Sequence, residues 1–265
     1  MHPMKSAARF AACVLTSFVL CHTAWGQTVS VCADPDPPPW TYRLRDAQGK
    51  PQDEFVGASV DIVRAAFKRI GIAVEFTGKY PWARCLAMVE DGSIDFAMDG
   101  YYDAQRAKRF AYSRHYNTLT PQVFYRTDLP VKVKKPGDLK DYKGCGMVGA
   151  SYAHYGLQPV ELDLGTGYEP MIQKLLAKRC DYFVEELEVI SGYKLSGKDY
   201  LANLEIRHGA VPGAQAPSKH LLTAINGTKA SLIPAINKAI ASVIDSGEAA
   251  QAWKKHAGTE LRYKP

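Results

Sequence analysis

One alternation constrains this chain more than any other feature. From Thr28 to Met98, short apolar runs of strand length take turns with amphipathic stretches of helix length, and the same order returns from Cys145 to Val184. "TVSVC" alternates like a half-buried strand, and Pro35, Pro37, Pro38 and Pro39 forbid its continuation and turn it into a loop. "GASVDIVRAAFKRIG" sets Val60, Val63, Phe67 and Ile70 at helical spacing, with Ser59 as the expected N-cap and Gly71 as the stop. "IAVEF" is a second strand, "PWARCLAMVEDG" a second helix opening at Pro81 and closing at Gly92, and "IDFAM" a third strand. Strands linked through helices run parallel, which makes this an α/β chain.

The later stretch repeats the plan. "CGMV" is a strand, "SYAHYG" a short helix, "VELDL" a strand, "YEPMIQKLLAKR" a helix with Met171, Leu175 and Leu176 inward, and "CDYFV" a strand. Each half carries an Asp before its last strand (Asp95, then Asp181) and an acid at that strand's end (Asp99, then Glu185 or Glu186). Two similar lobes therefore fit better than one continuous sheet. The chain is expected to cross between them near Thr120–Gln122 and return near His220–Thr223. Residues 27–120 and 221–265 then form lobe 1 and residues 121–220 lobe 2, with "SLIPAINKAIASVIDSG" and "GEAAQAWKKHAG" as closing helices.

Residues 1–26 stand apart. Lys5 and Arg9 precede an apolar run from Phe10 to Cys21, and Ala24-Trp25-Gly26 supplies a small-x-small cleavage pattern, so this segment reads as a cleavable export signal. Its loss lowers the formal charge of +6 by two, and the remaining basic residues are spread among acids. That distribution argues against nucleic-acid binding, which calls for a clustered basic face. Export permits disulfides. Cys145 and Cys180 each begin a strand that in a flavodoxin-like order neighbours the other, and Cys32 and Cys85 lie near one edge of the first lobe, so Cys32–Cys85 and Cys145–Cys180 are the expected bridges. No C-x-x-C pair or metal-ligand spacing occurs, so neither a metal nor a cofactor is expected. Gly144–Gly149 matches G-x-G-x-x-G, but its apolar residues are themselves the strand rather than the turn that follows one, which excludes a dinucleotide site.

In parallel sheets ligands sit beyond the carboxyl ends of the strands. That rule selects "ADPDPPPW", "DGYYDAQR", "VGASY" and "VEEL", whose acids, aromatics and single Arg suit a small zwitterion, and it places Asp34 and Tyr152 among the expected contacts.

These segments, taken in order with "FVGASVDIVRAAFKRIG", "FAYSRHY", "DLKDYKGCGMVGASY" and "INKAIASVIDSGEAAQAWKKHAG", resemble the family 3 extracellular solute-binding proteins over nearly the whole mature chain. The resemblance implies a two-lobed periplasmic binding protein of type II, a Venus flytrap with flavodoxin-like lobes joined by two hinge strands. It also implies a monomer in the periplasm that binds a small polar ligand, an amino acid by preference, and delivers it to an inner-membrane ABC permease. Arg106, seven residues before Ser113, takes the place of the family's α-carboxylate clamp, and guanidinium geometry suits that task. By the same resemblance Ser151 reaches that carboxylate from the other lobe and Glu186, or its neighbour Glu185, receives the ammonium. Trp40, Trp82 and Tyr101 or Tyr102 wall the ligand's side chain. Asp99-Gly100-Tyr101-Tyr102 departs from the family's small polar residues, and Asp99 either favours a cationic side chain or pairs with a nearby Arg. Two rival readings share the architecture: a periplasmic dehydratase of the cyclohexadienyl type, and a soluble sensor for a membrane receptor.

Overall fold

The structure, a computed structural model, describes residues 27–34, 37–258 and 261–265. The expected export signal at 1–26 and Pro35 lie outside the described residues. In chain order the strands and helices are β1 (Thr28–Cys32), β2 (Tyr42–Arg45), β3 (Pro51–Val56), α1 (Ala58–Arg69), β4 (Ala73–Thr77), α2 (Trp82–Glu90), β5 (Phe96–Tyr101), β6 (Phe110–Tyr112), β7 (Asn117–Thr118) and β8 (Pro121–Arg126). They continue as β9 (Gly144–Met147), β10 (Leu162–Gly165), α3 (Tyr168–Leu176), β11 (Tyr182–Glu186), α4 (Leu187–Gly192), β12 (Ile206–Ala210), β13 (Ser218–Ala224), α5 (Ile233–Asp245) and α6 (Glu248–Ala257).

Two sheets on one plan organise the chain. The first runs β4-β1-β5-β13-β6, with β7 beside β13, and the second runs β10-β9-β11-β8-β12. In both, three parallel strands meet one antiparallel strand that arrives from the other lobe: β13 against β5, and β8 against β11. The repeated Asp does the same work in each. Asp95 accepts the Ser30 N–H and Asp181 the Lys143 N–H, both at 2.9 Å, tying the start of one parallel strand to its neighbour.

Each sheet is covered on both faces. Val60, Val63 and Phe67 of α1 join Ile236 and Ile240 of α5 on one face of the first sheet, and Cys85, Leu86 and Val89 of α2 cover the other. In the second, Phe124 and Phe183 stack at 4.8 Å under Met171, Ile172 and Leu175 of α3, while Val123 and Val184 point the opposite way. Burying side chains of this size contributes about 1.5–3 kcal/mol each. Both expected bridges are present, Cys32–Cys85 and Cys145–Cys180, one inside each lobe.

Several local expectations are corrected. Gly57, not Ser59, occupies the N-cap of α1, because a Cβ there would come within 1.8 Å of the Trp40 carbonyl and φ is +145°. Ser59 Oγ is spent on Asp99 instead. "SYAHYG" forms only one 3-10 turn, Ala153–Tyr155, so it has no helix dipole to lend a ligand. The return crossing lies between Ala210 and Ser218, earlier than residue 220, since Ser218 and Lys219 already pair with β7. The hairpin β2–β3 lies in what reads as loop, because its residues are mostly exposed and only Phe55 reaches the apolar core.

Candidate functional site

All four strand ends meet at one cleft between the lobes, with about 610 Å³ of space including its open mouth. Lobe 1 contributes Asp34, Trp82, Asp99, Tyr101, Arg106 and Lys219; lobe 2 contributes Ser151, Tyr152, His154, Tyr155, Glu185 and Glu186.

Arg106 is buried at the foot of the loop after β5. Asp103 fixes that loop by accepting the backbone N–H groups of Gln105 and Arg106 at 2.9 Å. The guanidinium donates to the Tyr101 carbonyl at 3.2 Å and across the cleft to the Gly149 carbonyl at 2.9 Å, with Trp82 6.0 Å away. No carboxylate of the described residues lies within ion-pair distance of it; its hydrogen bonds go to carbonyls, and its charge helps to hold the nearby Asp103 carboxyl low. Ser151 lines the same end, but its hydroxyl donates to Asp103 at 2.8 Å, a second link between lobes.

Glu185 and Glu186 both line the cleft, because the strand gives way to α4 at Glu186 and the regular alternation of side chains ends there. Burial pushes the Glu185 carboxyl well above the usual carboxylate range, and ionised Glu186 beside it adds to the effect. Burial acts on Glu186 in the same sense, but donors from Glu185, His154 and Tyr101 outweigh it and hold its carboxyl low. The pair therefore keeps one proton, on Glu185. Both oxygens of Glu186 are occupied: Oε1 by His154 at 3.0 Å and Tyr155 at 3.1 Å, Oε2 by the Tyr101 hydroxyl from the opposite lobe.

Asp99 sits at φ +68°, a left-handed conformation that Asp tolerates better than most residues. Its Oδ1 accepts from Ser59 at 2.6 Å and Tyr116 at 2.7 Å, and its partner among the cations is Lys219 rather than an Arg.

Two aromatic expectations change. Trp40 is not part of the cleft wall: it is 1% exposed, donates to Asn117 at 2.7 Å, and packs on Trp253 in an apolar cluster that also takes in Val189 and Tyr193 of lobe 2. Tyr102 is 60% exposed and tilts against Tyr112, leaving Tyr101 as the lining tyrosine. Sequence reasoning missed Lys219, His154, Tyr155 and Tyr168, although His154 and Tyr155 follow within three residues of the "VGASY" strand end. A Lys at a buried position of β13, whose neighbours Leu221 and Leu222 are core residues, was the available signal for the first.

The model of bacterial extracellular solute-binding proteins, family 3, matches residues 29–259. No curated protein matches the sequence. Among solved structures, the chain is similar to the arginine-, lysine-, histidine-binding protein ArtJ from Geobacillus stearothermophilus, at 20% identity and TM-score 0.71 over 89% of this chain and 97% of that one. It is similar also to an amino acid transporter substrate-binding protein of Streptococcus pneumoniae bound to L-arginine, at 22% identity and TM-score 0.67, covering 88% and 97%. A histidine kinase sensor domain shares the fold at 22% identity and TM-score 0.66, covering 86% and 95%.

Proposed function

The chain belongs to the bacterial extracellular solute-binding proteins of family 3, and from that premise we propose that it is a periplasmic receptor whose lobes close on an amino-acid-like ligand and deliver it to an ABC permease. The observation that carries this reading is Arg106: a buried guanidinium in an interlobe cleft, held by two carbonyls and without a carboxylate partner. A ligand carboxylate supplies the planar, doubly accepting anion that such a group binds best. The acids of the cleft suit the ammonium of the same ligand. Trp82, Tyr101 and Tyr152 offer flat surface for its carbon skeleton. Because the ligand touches both lobes only when they are shut, it favours the closed state by its differential affinity. The solved neighbours with amino acids in their names agree in fold with such a role.

Thermal-shift screening of the mature protein against amino acids and small organic acids, followed by calorimetric titration, tests the proposal. Arg106→Ala is expected to lower affinity by at least a hundredfold while the ligand-free melting curve stays nearly unchanged; retained affinity sinks the assignment. A second reading, dehydration of a prephenate-like acid, is favoured by one observation, the proton that Glu185 holds inside the cleft. Release of product from such an acid by purified protein, lost in Glu185→Gln, is the outcome that would replace binding with catalysis.

A further inference from the structure

We propose that Asp99 and Lys219 form a second ligand subsite that selects an amino dicarboxylic acid, with the ligand's ammonium on Asp99 Oδ2 and one of its two carboxylates on Lys219 Nζ. This rests on the reading that Arg106 takes the other carboxylate.

Asp99 Oδ2 is a buried oxygen without a hydrogen-bond partner among the described residues, on a side chain that is 8% exposed and lines the cleft. The rest of the residue is fixed. Tyr116 accepts from the Asp99 N–H and donates to Oδ1, and Ser59 donates to Oδ1, so the carboxylate cannot rotate to satisfy both oxygens without giving up two bonds. An unmet buried acceptor is costly, and a ligand donor relieves that cost.

Lys219 Nζ is the complementary case. Its side chain is 4% exposed, and the ammonium lies 3.8 Å from Asp99 Oδ2, too far for a hydrogen bond. It also faces aromatic rings, Trp40 at 4.3 Å and Tyr101 at 5.6 Å, and its charge acts on Glu185 across the cleft. A ligand that sets its ammonium on Oδ2 and its side-chain carboxylate on Nζ, with its α-carboxylate on Arg106, gives each partner the hydrogen bond it lacks.

Charge then sets the ligand class. Lys219 and Asp99 pair their charges at 3.8 Å without a hydrogen bond, so a ligand carboxylate and a ligand ammonium can each make the bond that this pair leaves unmade. Glu186 is a poor second cation site, since both its oxygens are taken, and Asp34 is already engaged. A basic side chain beside Lys219 meets a like charge, whereas a second carboxylate meets a buried donor. Sites built on buried polar groups discriminate strongly because the wrong ligand leaves them unpaired.

Calorimetric titration of the mature protein with L-glutamate, L-aspartate, L-glutamine, L-arginine and L-histidine decides the matter. At least tenfold tighter binding of an acidic amino acid than of arginine or histidine is expected. Lys219→Met keeps the packing on Trp40, and it is expected to cost the acidic ligand at least tenfold while affecting glutamine less; Lys219→Arg is expected to retain acidic binding within about fivefold. Asp99→Asn is expected to weaken every amino acid. Arginine or histidine binding as tightly as glutamate, or glutamate affinity untouched in Lys219→Met, overturns this subsite while leaving the receptor reading intact. Absence of binding by all five, with Arg106→Ala indistinguishable from the parent against the wider screen, removes both. If Lys219→Met does not fold, the selectivity of the parent protein still decides.

Discussion

Glu185 is a carboxyl kept neutral by burial and by the charge of Glu186, and this fixes how it acts on stability. An unfolded chain releases that proton near pH 4.5, while the folded chain retains it to higher pH. Above pH 4.5 the folded state therefore binds more protons than the unfolded one, and stability falls as pH rises towards the raised folded value. Below pH 4.5 both states are protonated and the cost vanishes. Glu185→Gln preserves the shape, the acceptor for the Glu186 N–H and a donor for the Glu186 carboxylate, without a proton to lose. Its melting temperature at pH 7 is expected to rise by a few degrees, and the decline above pH 4.5 to flatten, as followed by scanning calorimetry. An unchanged slope would show that the proton lies elsewhere. Sequence alone left Glu185 and Glu186 unresolved because the alternation that separates strand neighbours fails only where the strand stops. Lys219 was illegible for another reason: its partner Asp99 is 120 positions away in the chain and meets it only when β13 returns beside β5.

At the scale of elements, α4 approaches the loop after β1 so closely that Gly192 leaves no room for a side chain. A Cβ there would stand 1.8 Å from the Pro38 carbonyl, a backbone atom that cannot swing aside. Gly192 belongs to lobe 2 and Pro38 to lobe 1, so the clash exists only when the lobes are together. Gly192→Ala is consequently expected to hold the cleft ajar, lowering ligand affinity about tenfold or more by titration, with the larger radius visible in solution scattering and the folding of each lobe undisturbed. The helices and parallel strands were readable because each buries one face of the right period, as Val60, Val63 and Phe67 do on α1. What escaped was structure without such a face. The β2–β3 hairpin buries only part of its base, through Tyr42, Phe55 and Val56, and the two-residue β7 is too short to show any period. Trp40 was misplaced because an aromatic beside a proline-rich loop reads alike as ligand wall or core; Asn117, 77 residues away, decides for core by accepting its indole N–H.

For the molecule as a whole, covalent and non-covalent links divide the labour. Cys32–Cys85 closes a loop of 53 residues within lobe 1, and Cys145–Cys180 one of 35 within lobe 2; neither spans the hinge. The bonds that do span the cleft are reversible: Arg106 to Gly149, Ser151 to Asp103 and Tyr101 to Glu186. At the first crossing, Glu188 of α4 accepts both the N–H and the hydroxyl of Thr120, so the strand entering lobe 2 is pinned to that lobe's own helix and moves with it. Lys264 of lobe 1 also reaches Thr120 and Glu188, and Trp40 and Trp253 pack with Val189 and Tyr193, so the lobes are stiff bodies joined to each other by non-covalent contacts alone. Loops of these lengths place the contribution of each bridge at about 4 kcal/mol, which for a chain of this size corresponds to roughly 10 °C in melting temperature. Reduction, or Cys-to-Ser replacement of one pair, is therefore expected to lower the melting temperature by about that amount. At temperatures where the reduced protein is still folded, ligand affinity is expected to stay within a few-fold, since no disulfide shapes the hinge. A large loss of affinity without unfolding would mean that the bridges tune closure itself, and that the lobes are not the independent stiff bodies their sheets and cross-links describe.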